Sequence, residues 1–563
     1  MTTVGDTART VLAPVNRRFR LNRWGIFALL VAGMVAVPVL VVFSFVFVPA
    51  TDVWYHLAST VLSRYVVNTL WLVAGVSIAT LVTGVGAAWL VTMCRFPGRG
   101  VFEWALLLPM AVPAYAVAYT YAGMLDFAGP VQTMLRDLFG WSRHDYWFPE
   151  VRSLGGAFMM LGLVTYPYVY LLTRAAFLEQ SVCVLEVSRT LGRGPWNCFL
   201  RVALPLARPA IATGLALALM ETLSDFGTVQ HFAVDTFTTG IFRTWFGLGD
   251  PAAAAQLAAI LMVFVFAVLF MERWSRRAAR YHHTTTRYRP LPGYQLRSWR
   301  ALLAAGFCLA PILFGFLLPA SVLLVWAIET SDTIFTRDFM DLVWHTILLA
   351  GVAAAIAVAI AVILAYGNRI GGSRLTTMGS RIASIGYAVP GSVIAVGVLL
   401  PFAWIDNSID AWMHGTFGIS TGLLLSGTIV ALLFAYLVRF LAISFNTVEA
   451  SLAKVTPNMD SAARTLGARP SKTLLSVHAP MMWGSLLTAG LLVFVDVMKE
   501  LPATLIMRPF DFNTLAVRTY ELASDEQLAE AAGPALAIVM VGIIPVVLLS
   551  AAIARARPGQ PPA

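Results

Sequence analysis

Charged residues are scarce in this sequence: Asp, Glu, Lys and Arg make up 12% of its 563 residues. Soluble globular domains carry about 25% charged residues, so an ordinary soluble domain is excluded. The phosphate-loop pattern G-x4-GK[ST] is absent, as are H-E-x-x-H and G-x-S-x-G. We therefore expect no catalytic residue and no cofactor in this chain. The three lysines are Lys454, Lys472 and Lys499, none of them in a glycine-rich turn.

Cysteine is also rare, and the four cysteines have no spacing typical of a metal site. All four positions fall in predicted helices or inner loops, where thiols stay reduced. We expect neither disulfides nor a stable metal site. The cysteines are Cys94, Cys183, Cys198 and Cys308.

Apolar sequence is abundant instead, because hydrophobic residues supply 59% of the chain. About 20 apolar residues cross the roughly 30 Å of bilayer hydrocarbon as a helix. The sequence thus predicts an all-α integral membrane protein with twelve transmembrane helices. The predicted spans are residues 25–48, 66–93, 101–124, 155–177, 206–226, 254–272, 301–327, 342–366, 380–404, 422–444, 481–506 and 534–553.

Basic residues set the expected orientation, since short loops rich in Arg and Lys stay in the cytoplasm. With the amino terminus inside, every inner segment is basic, and both termini are cytoplasmic. The net charge of +10 then reflects contact with anionic lipid and needs no nucleic acid. The inner segments are residues 1–24, 94–100, 178–205, 273–300, 367–379, 445–480 and the carboxyl-terminal tail.

The chain is internally duplicated. At an offset of 275, the stretch 189–192 (RTLG) lies on 464–467 (RTLG), and at 277 the stretch 111–113 (AVP) lies on 388–390 (AVP). This pattern predicts two fused six-helix repeats in the same orientation, related by an axis along the membrane normal. The repeats span residues 1–272 and 301–563, with a basic cytoplasmic linker at 273–300.

One polar inner loop occurs in both repeats. In the first copy, Glu186 suits the start of a short helix, and Gly192 can take the left-handed conformation that stops it. Pro195 suits the first turn of a second helix, which Pro205 would end. A single loop of this kind could merely seal the bundle against lipid headgroups. Two copies at matching positions favour docking to a partner with two equivalent faces.

Glu186, Gly192 and the Leu204-Pro205 end resemble the EAA loop of ABC importer permeases, with Arg189 inside the motif. The resemblance implies that this loop inserts into a groove of an ATPase subunit. The second copy differs because Ser461 stands where the glutamate is expected, which implies unequal ATPase contacts. The positions of the second copy are Asp460, Ser461, Arg464, Gly467 and Pro480.

The segments 221–250 and 499–524 resemble the fused, two-repeat permeases of bacterial ferric iron importers. This resemblance implies the type I ABC importer fold in the bacterial inner membrane, with one fused chain in place of a permease dimer. It also implies two partners, a cytoplasmic ABC ATPase dimer that holds ATP and Mg, and an extracytoplasmic iron-binding protein.

Acidic residues within predicted spans mark the candidate pathway. Glu221 and Asp225 lie four residues apart, and Asp496 and Glu500 match them at an offset of 275. A carboxylate near mid-membrane costs about 2.5–3.5 kcal/mol, so such groups need a cation, a proton or an internal partner. Either both pairs face the axis as a transient path for a hard cation, or Lys499 neutralises Asp496 or Glu500 and the other pair lies near water.

Other interpretations remain open on the sequence alone. A thiamine permease shares the twelve-span plan and would have an aromatic cage in place of paired acids. A secondary transporter would use the carboxylates as proton relays and need no ATPase.

Two tyrosine sets could supply phenolic oxygens or simply pack between helices: Tyr115, Tyr119 and Tyr121, and Tyr166, Tyr168 and Tyr170. Outer loops at 125–154, 227–253 and 507–533 could receive a binding protein.

Overall fold

The computed structural model describes residues 23–49, 52–179, 194–277, 293–334, 336–371 and 373–555. Within these residues, ten helices are long and apolar enough to cross a membrane, or up to twelve when each of two bent helix pairs is counted as one span. The predicted all-α membrane architecture with twelve spans is confirmed.

Long helices alternate with short ones in the first repeat. Residues Phe45–Phe47 and Leu108–Ala111 form 3-10 turns, and Phe199–Ala203 and Arg243–Gly247 form π turns. The α-helices are α1 (Arg23–Ser44), α2 (Asp52–Thr60), α3 (Leu62–Met93), α4 (Arg99–Ala105), α5 (Ala114–Leu125), α6 (Pro130–Phe139), α7 (Leu154–Glu179), α8 (Pro195–Cys198), α9 (Leu204–Ser224), α10 (Gly227–His231), α11 (Phe237–Phe242) and α12 (Pro251–Arg277).

The second repeat follows the same plan. Gly386–Ala388 is a 3-10 turn, and Leu313–Leu317 and Leu474–His478 are π turns. The α-helices are α13 (Trp299–Ile312), α14 (Leu318–Glu329), α15 (Ser331–Ile334), α16 (Arg337–Gly371), α17 (Arg374–Ala383), α18 (Gly391–Phe417), α19 (Ile429–Leu452), α20 (Pro457–Thr465), α21 (Pro470–Thr473), α22 (Ala479–Met481), α23 (Trp483–Met498), α24 (Pro502–Met507), α25 (Leu515–Ser524) and α26 (Leu528–Arg555).

Two predicted spans are broken at matching prolines. The segments Arg99–Ala111 and Ala114–Phe139 meet at 88°, where Pro113 precedes α5. In the second repeat, Pro390 precedes α18 after the 3-10 turn. Proline lacks the backbone N–H that would continue a helix, which explains both breaks. These breaks interrupt the predicted spans 101–124 and 380–404 completely.

Other boundaries differ from prediction. The span 206–226 ends at Ser224 and the span 481–506 ends at Met498. Much of the expected outer loops 227–253 and 507–533 is buried helix, as the full burial of Thr228 and Leu515 indicates. These helices bury apolar side chains against the bundle, which a loop in water would expose.

Pro205 does not end a helix, contrary to prediction. A single helical segment runs over Trp196–Ser224, and Pro205 lies directly after its π turn. The wider π turn accommodates the missing N–H without breaking the segment. In the second repeat, the corresponding segment does bend, by 79°, between Met481 and Trp483.

The repeats are interlocked, so the predicted boundaries do not separate two independent units. Helix α1 packs against α17 and α18 of the second repeat, while α13 contacts α3 and α4 of the first. Tyr121 of α5 also donates a hydrogen bond of 2.6 Å to the carbonyl of Phe314. Part of the expected linker is ordered too, because Tyr294–Gln295 pairs in parallel with Cys94–Arg95. The linker residues 278–292 lie outside the described residues.

Candidate functional site

Asp225 terminates α9 and caps the short helix that follows. Its carboxylate accepts hydrogen bonds from Thr228 Oγ1 at 3.0 Å and from the amide of Val229 at 3.2 Å. An acidic side chain at this position satisfies free amides and interacts favourably with the helix dipole. The chain therefore reverses from α9 into α10 around a carboxylate.

Glu500 plays the same part in the second repeat, 275 residues later. It accepts from the amides of Ala503 at 3.2 Å and Thr504 at 3.1 Å, and from Thr504 Oγ1 at 2.9 Å. Its side chain is only 2% exposed. The internal duplication thus places two carboxylates at equivalent breaks between a long helix and a short one.

All four predicted acids line one cavity of about 60 Å³ between the repeats, called here the central cavity. Matched positions of both repeats line it, such as Glu221 with Asp496 and Asp225 with Glu500. The cavity therefore lies on the pseudo-twofold axis. Its lining also includes Pro113, Tyr115, Ser224, Tyr387, Arg439 and Lys499.

Two basic side chains partly neutralise this cavity. Lys499 Nζ lies 2.8 Å from Asp496, as one of the sequence-based alternatives proposed. Arg439 Nη1 donates to Glu500 at 2.9 Å, and its Nη2 lies 3.9 Å from Glu221. Because Glu221 and Glu500 belong to different repeats, the guanidinium joins the two halves at the axis.

Sequence reasoning missed Arg439. It lies within the apolar helix α19, and the position 275 residues earlier is Val164, so the repeat comparison gave no sign of it. An arginine inside a membrane-spanning run is itself a signal, because such residues face partners or water-filled cavities. Applying that rule to the span 422–444 would have found it.

Gly391 makes room for the ion pair. A Cβ at this position would overlap Glu500 Oε1 and Arg439 Nη1. The Gly391 amide also donates to Ser224 Oγ at 3.3 Å, across the repeats. A residue with a side chain here would push the two charged groups apart.

A second cavity of about 410 Å³, called here the inner cavity, shares Tyr387, Asp496 and Lys499 with the first. Its lining includes Arg273 and Asn446, which lie near the carboxyl-terminal ends of α12 and α19. These ends point to the side of the bundle that carries the basic loops, which we call the basic face. Tyr387, Asp496 and Lys499 therefore separate the central cavity from a wider space towards the basic face.

The tyrosine sets divide into bonded and unbonded members. Tyr166 donates to the Leu106 carbonyl at 2.7 Å and Tyr170 to the Glu103 carbonyl at 2.9 Å, so both brace the bundle. Tyr168 lines the inner cavity. In the described structure, the buried hydroxyls of Tyr115 and Tyr119 have no hydrogen-bond partner.

A resident metal site was not expected, and the described residues contain no group of three or more His, Cys, Asp or Glu side chains arranged to hold a metal ion. The four acids of the central cavity are instead tied to helix amides or basic side chains. They are therefore not arranged as a closed coordination sphere.

The second copy of the repeated loop lies on the basic face. Helix α20 ends in a Schellman motif, in which Gly467 has φ +75° and the amide of Ala468 donates to the Ala463 carbonyl at 3.0 Å. Glycine suits this left-handed position because it has no Cβ. The predicted helix, turn and helix is thus present here. Leu466 at the turn is 87% exposed.

Asp460 fixes this loop to the bundle. Arg369 Nε and Nη2 donate to its carboxylate at 2.8 and 2.6 Å, and His478 Nε2 lies 3.0 Å from it. Arg464 reaches Ser461 Oγ at 3.4 Å. Tyr366 also donates to the Pro470 carbonyl at 2.8 Å. In the first copy, Glu186, Arg189 and Gly192 lie outside the described residues, while Leu204 and Pro205 lie in α9.

On the opposite face, Arg152 connects the repeats. It lies 2.9 Å from Asp126 of its own repeat and donates to both carboxylate oxygens of Glu526 at 2.9 and 3.0 Å. The hydrogen bonds from Arg152 lower the pKa of Glu526 below its ordinary value. A bidentate pair thus joins the repeats on this face, while the inner cavity lies towards the other.

Comparisons with known proteins agree with this architecture. Residues 80–281 match the family described as "Binding-protein-dependent transport system inner membrane component". The Fe(3+)-transport system permease protein FbpB 2 of Haemophilus influenzae is 27% identical over 525 residues, covering 92% of this chain and 96% of that protein.

Two further relatives bear on the repeats. The ferric transport system permease protein FbpB of Actinobacillus pleuropneumoniae is 23% identical over 506 residues, covering 85% of this chain and 70% of that protein. The molybdenum transport system permease protein ModB of Escherichia coli is 27% identical over 203 residues, which is 86% of ModB but 35% of this chain. The part of this chain that aligns with ModB is therefore close in length to one repeat. The chain is thus a multi-pass membrane permease that resembles the binding-protein-dependent transport family over residues 80–281 and ferric transport permeases over most of its length.

Proposed function

We propose that this permease moves ferric iron across the membrane through the central and inner cavities. The relatives that span most of the chain are ferric transport permeases. In this proposal the basic face is cytoplasmic, both termini lie on that side, and iron enters from the opposite face.

The charge of the central cavity carries the proposal. Four carboxylates and two basic side chains line it, which leaves an excess of two negative charges when all six groups are ionised. Asp496 and Glu500 have cationic partners at 2.8 and 2.9 Å, whereas the nearest cation to Glu221 is 3.9 Å away. Oxygen donors suit a hard cation, and incomplete coordination allows it to leave again. An oxyanion would be repelled here.

Energy would come from a separate subunit. The chain lacks a phosphate loop, so ATP and Mg would bind to a cytoplasmic ATPase dimer. Its docking sites would be the two repeated loops, of which the described copy presents Leu466 on a turn fixed by Gly467. An extracytoplasmic iron-binding protein would deliver the ion to the face that carries Arg152.

Two other functions lead to different expectations. Thiamine would need space for an organic molecule, whereas about 60 Å³ at the central cavity suits a few waters or one small ion. A proton-coupled secondary transporter would take up its substrate without an ATPase. Gradient-driven iron uptake by the purified chain alone in liposomes would establish that mechanism instead.

Iron uptake by cells carrying E221Q, D496N and the double variant tests the pathway. We expect each single variant to lower the rate of uptake and the double variant to abolish it, at normal amounts of protein in the membrane. Asp137→Asn is the matched control, because Asp137 lies on α6 and outside the lining of the central cavity. Native uptake in the double variant would remove these acids from the route.

A further inference from the structure

Two buried tyrosines and one half-buried histidine lie together beside the central cavity on the side of the opposite face: Tyr115 and Tyr119 of α5 and His231 of α10. The Tyr115 and Tyr119 rings are 5.8 Å apart between centroids, and the Tyr119 and His231 rings are 4.6 Å apart. Tyr115 also lines the central cavity. We call this group the tyrosine–histidine cluster.

The cluster contains buried polar atoms without partners. Among the described residues, nothing hydrogen-bonds to the hydroxyls of Tyr115 and Tyr119 or to Nε2 of His231. The two tyrosines are only 5% and 3% exposed. An unbonded buried polar group costs about 1–3 kcal/mol, so three of them are not explained by packing.

Comparison of the repeats supports the same conclusion. The positions that match Tyr115, Tyr119 and His231 are Ser392, Val396 and Ile506. The second repeat therefore builds the same helices with small or apolar side chains. Ser392 keeps one unbonded hydroxyl among the described residues of the second repeat. Tyr119 and His231 have only apolar counterparts there, so the polar groups at these two positions are not required by the fold and point to a ligand.

The structure points to a ferric ion as that ligand, and we propose that the tyrosine–histidine cluster is a transfer site that Fe³⁺ occupies before it enters the central cavity. Two phenolate oxygens and one imidazole nitrogen would bind it. Each phenol loses its proton as its oxygen bonds to the metal, the two protons pass to solvent water, and the iron stays ferric. The location fits, since the electrostatic influence of Arg152 and Glu526 reaches His231 from the opposite face, while Tyr115 borders the cavity with the four acids.

This inference rests on the proposed ferric cargo, and its test separates the two. The purified complex of permease and ATPase in lipid nanodiscs is titrated with ferric nitrilotriacetate. Phenolate bound to Fe³⁺ gives a charge-transfer absorption band in the visible region. We expect the band in the native protein, a weaker band in Y115F and in Y119F, and its loss in the double variant. Iron uptake should fall in parallel.

Tyr121→Phe is the control because Tyr121 lies on the same helix and its hydroxyl is bonded to the Phe314 carbonyl. It should keep both the band and uptake. Absence of the band in a native protein that transports iron would overturn the transfer site and leave the ferric function standing. A band that persists in the double variant would also overturn it. Absence of iron uptake by the native complex would overturn both proposals.

Discussion

Arg152 donates two hydrogen bonds, of 2.9 and 3.0 Å, to the carboxylate of Glu526. This pair joins the two repeats at the face opposite the basic face. The Arg152 bonds lower the pKa of Glu526. A carboxyl group with a lowered folded pKa contributes stability above its unfolded pKa of about 4.3 and loses it as the pH falls through the folded value. We expect this face to stay closed from pH 7 to about 5 and to loosen only below about 4.

Spin labels at Arg143 and Asp525 can measure this opening by electron paramagnetic resonance. Glu526 is 61% exposed on its side chain, so the pair contributes no more than about 1 kcal/mol. Glu526→Gln should therefore raise the open fraction by about fivefold at most, and do so at neutral pH. His144→Gln serves as a control on the same face. Equal distances in E526Q and the native protein would mean that this pair does not hold the face closed.

The pair of Arg439 and Glu500 should behave differently because it is buried. Removing one partner of a buried ion pair costs about 3–5 kcal/mol, whereas replacing both with apolar residues is often close to neutral. We expect E500Q to shorten the half-life of the folded permease on heating, and R439M/E500M to restore much of it. Fluorescence-detected size exclusion after heating measures this. Iron uptake should stay low in the double variant, because the cavity has lost the Glu500 carboxylate from its set of oxygen donors.

Equal half-lives for E500Q and the native protein would contradict this account. The exposed pair at Arg64 and Asp235 provides the comparison, since Arg64 is 64% exposed on its side chain. Arg64→Gln should change the half-life little. The contrast tests burial rather than charge as the source of the effect.

Repetition and residue chemistry allowed much of this molecule to be predicted. The offset of 275 placed Asp225 and Glu500 at equivalent positions, and both cap short helices. The interlocking of α1 with the second repeat could not be predicted, because apolar helices carry little information about which neighbour they meet in lipid. Arg439 was missed because only one repeat contains it. The unbonded state of Tyr115 and Tyr119, against the bonded Tyr121, depends on three-dimensional contacts that no local pattern encodes.

Gly467 is expected to control ATPase docking. A residue with a side chain at φ +75° is strained by about 1–2 kcal/mol, so Gly467→Val should distort the turn that presents Leu466. The membrane bundle itself should fold normally. We expect loss of the ATPase from the purified complex at unchanged yield of permease. Gly484→Val is the control, because Gly484 has a negative φ and open space around it. Normal recovery of ATPase with G467V would count against docking at this loop.

Arg369 should affect coupling rather than docking. Its guanidinium holds Asp460 and also donates to the carbonyls of Leu452 at 2.7 Å and Val455 at 2.9 Å. The loop is therefore fixed to α16, so a force on the loop moves the helix. Arg369→Met would cut this connection while leaving the exposed turn in place. We expect normal ATPase recovery and continued ATP hydrolysis with iron uptake reduced, measured as ions transported per ATP.

Arg381→Met, on exposed surface of the neighbouring α17, should keep the native ratio. A native ratio in R369M would place the transmission of force elsewhere, and loss of the ATPase from R369M would make Arg369 part of the docking surface.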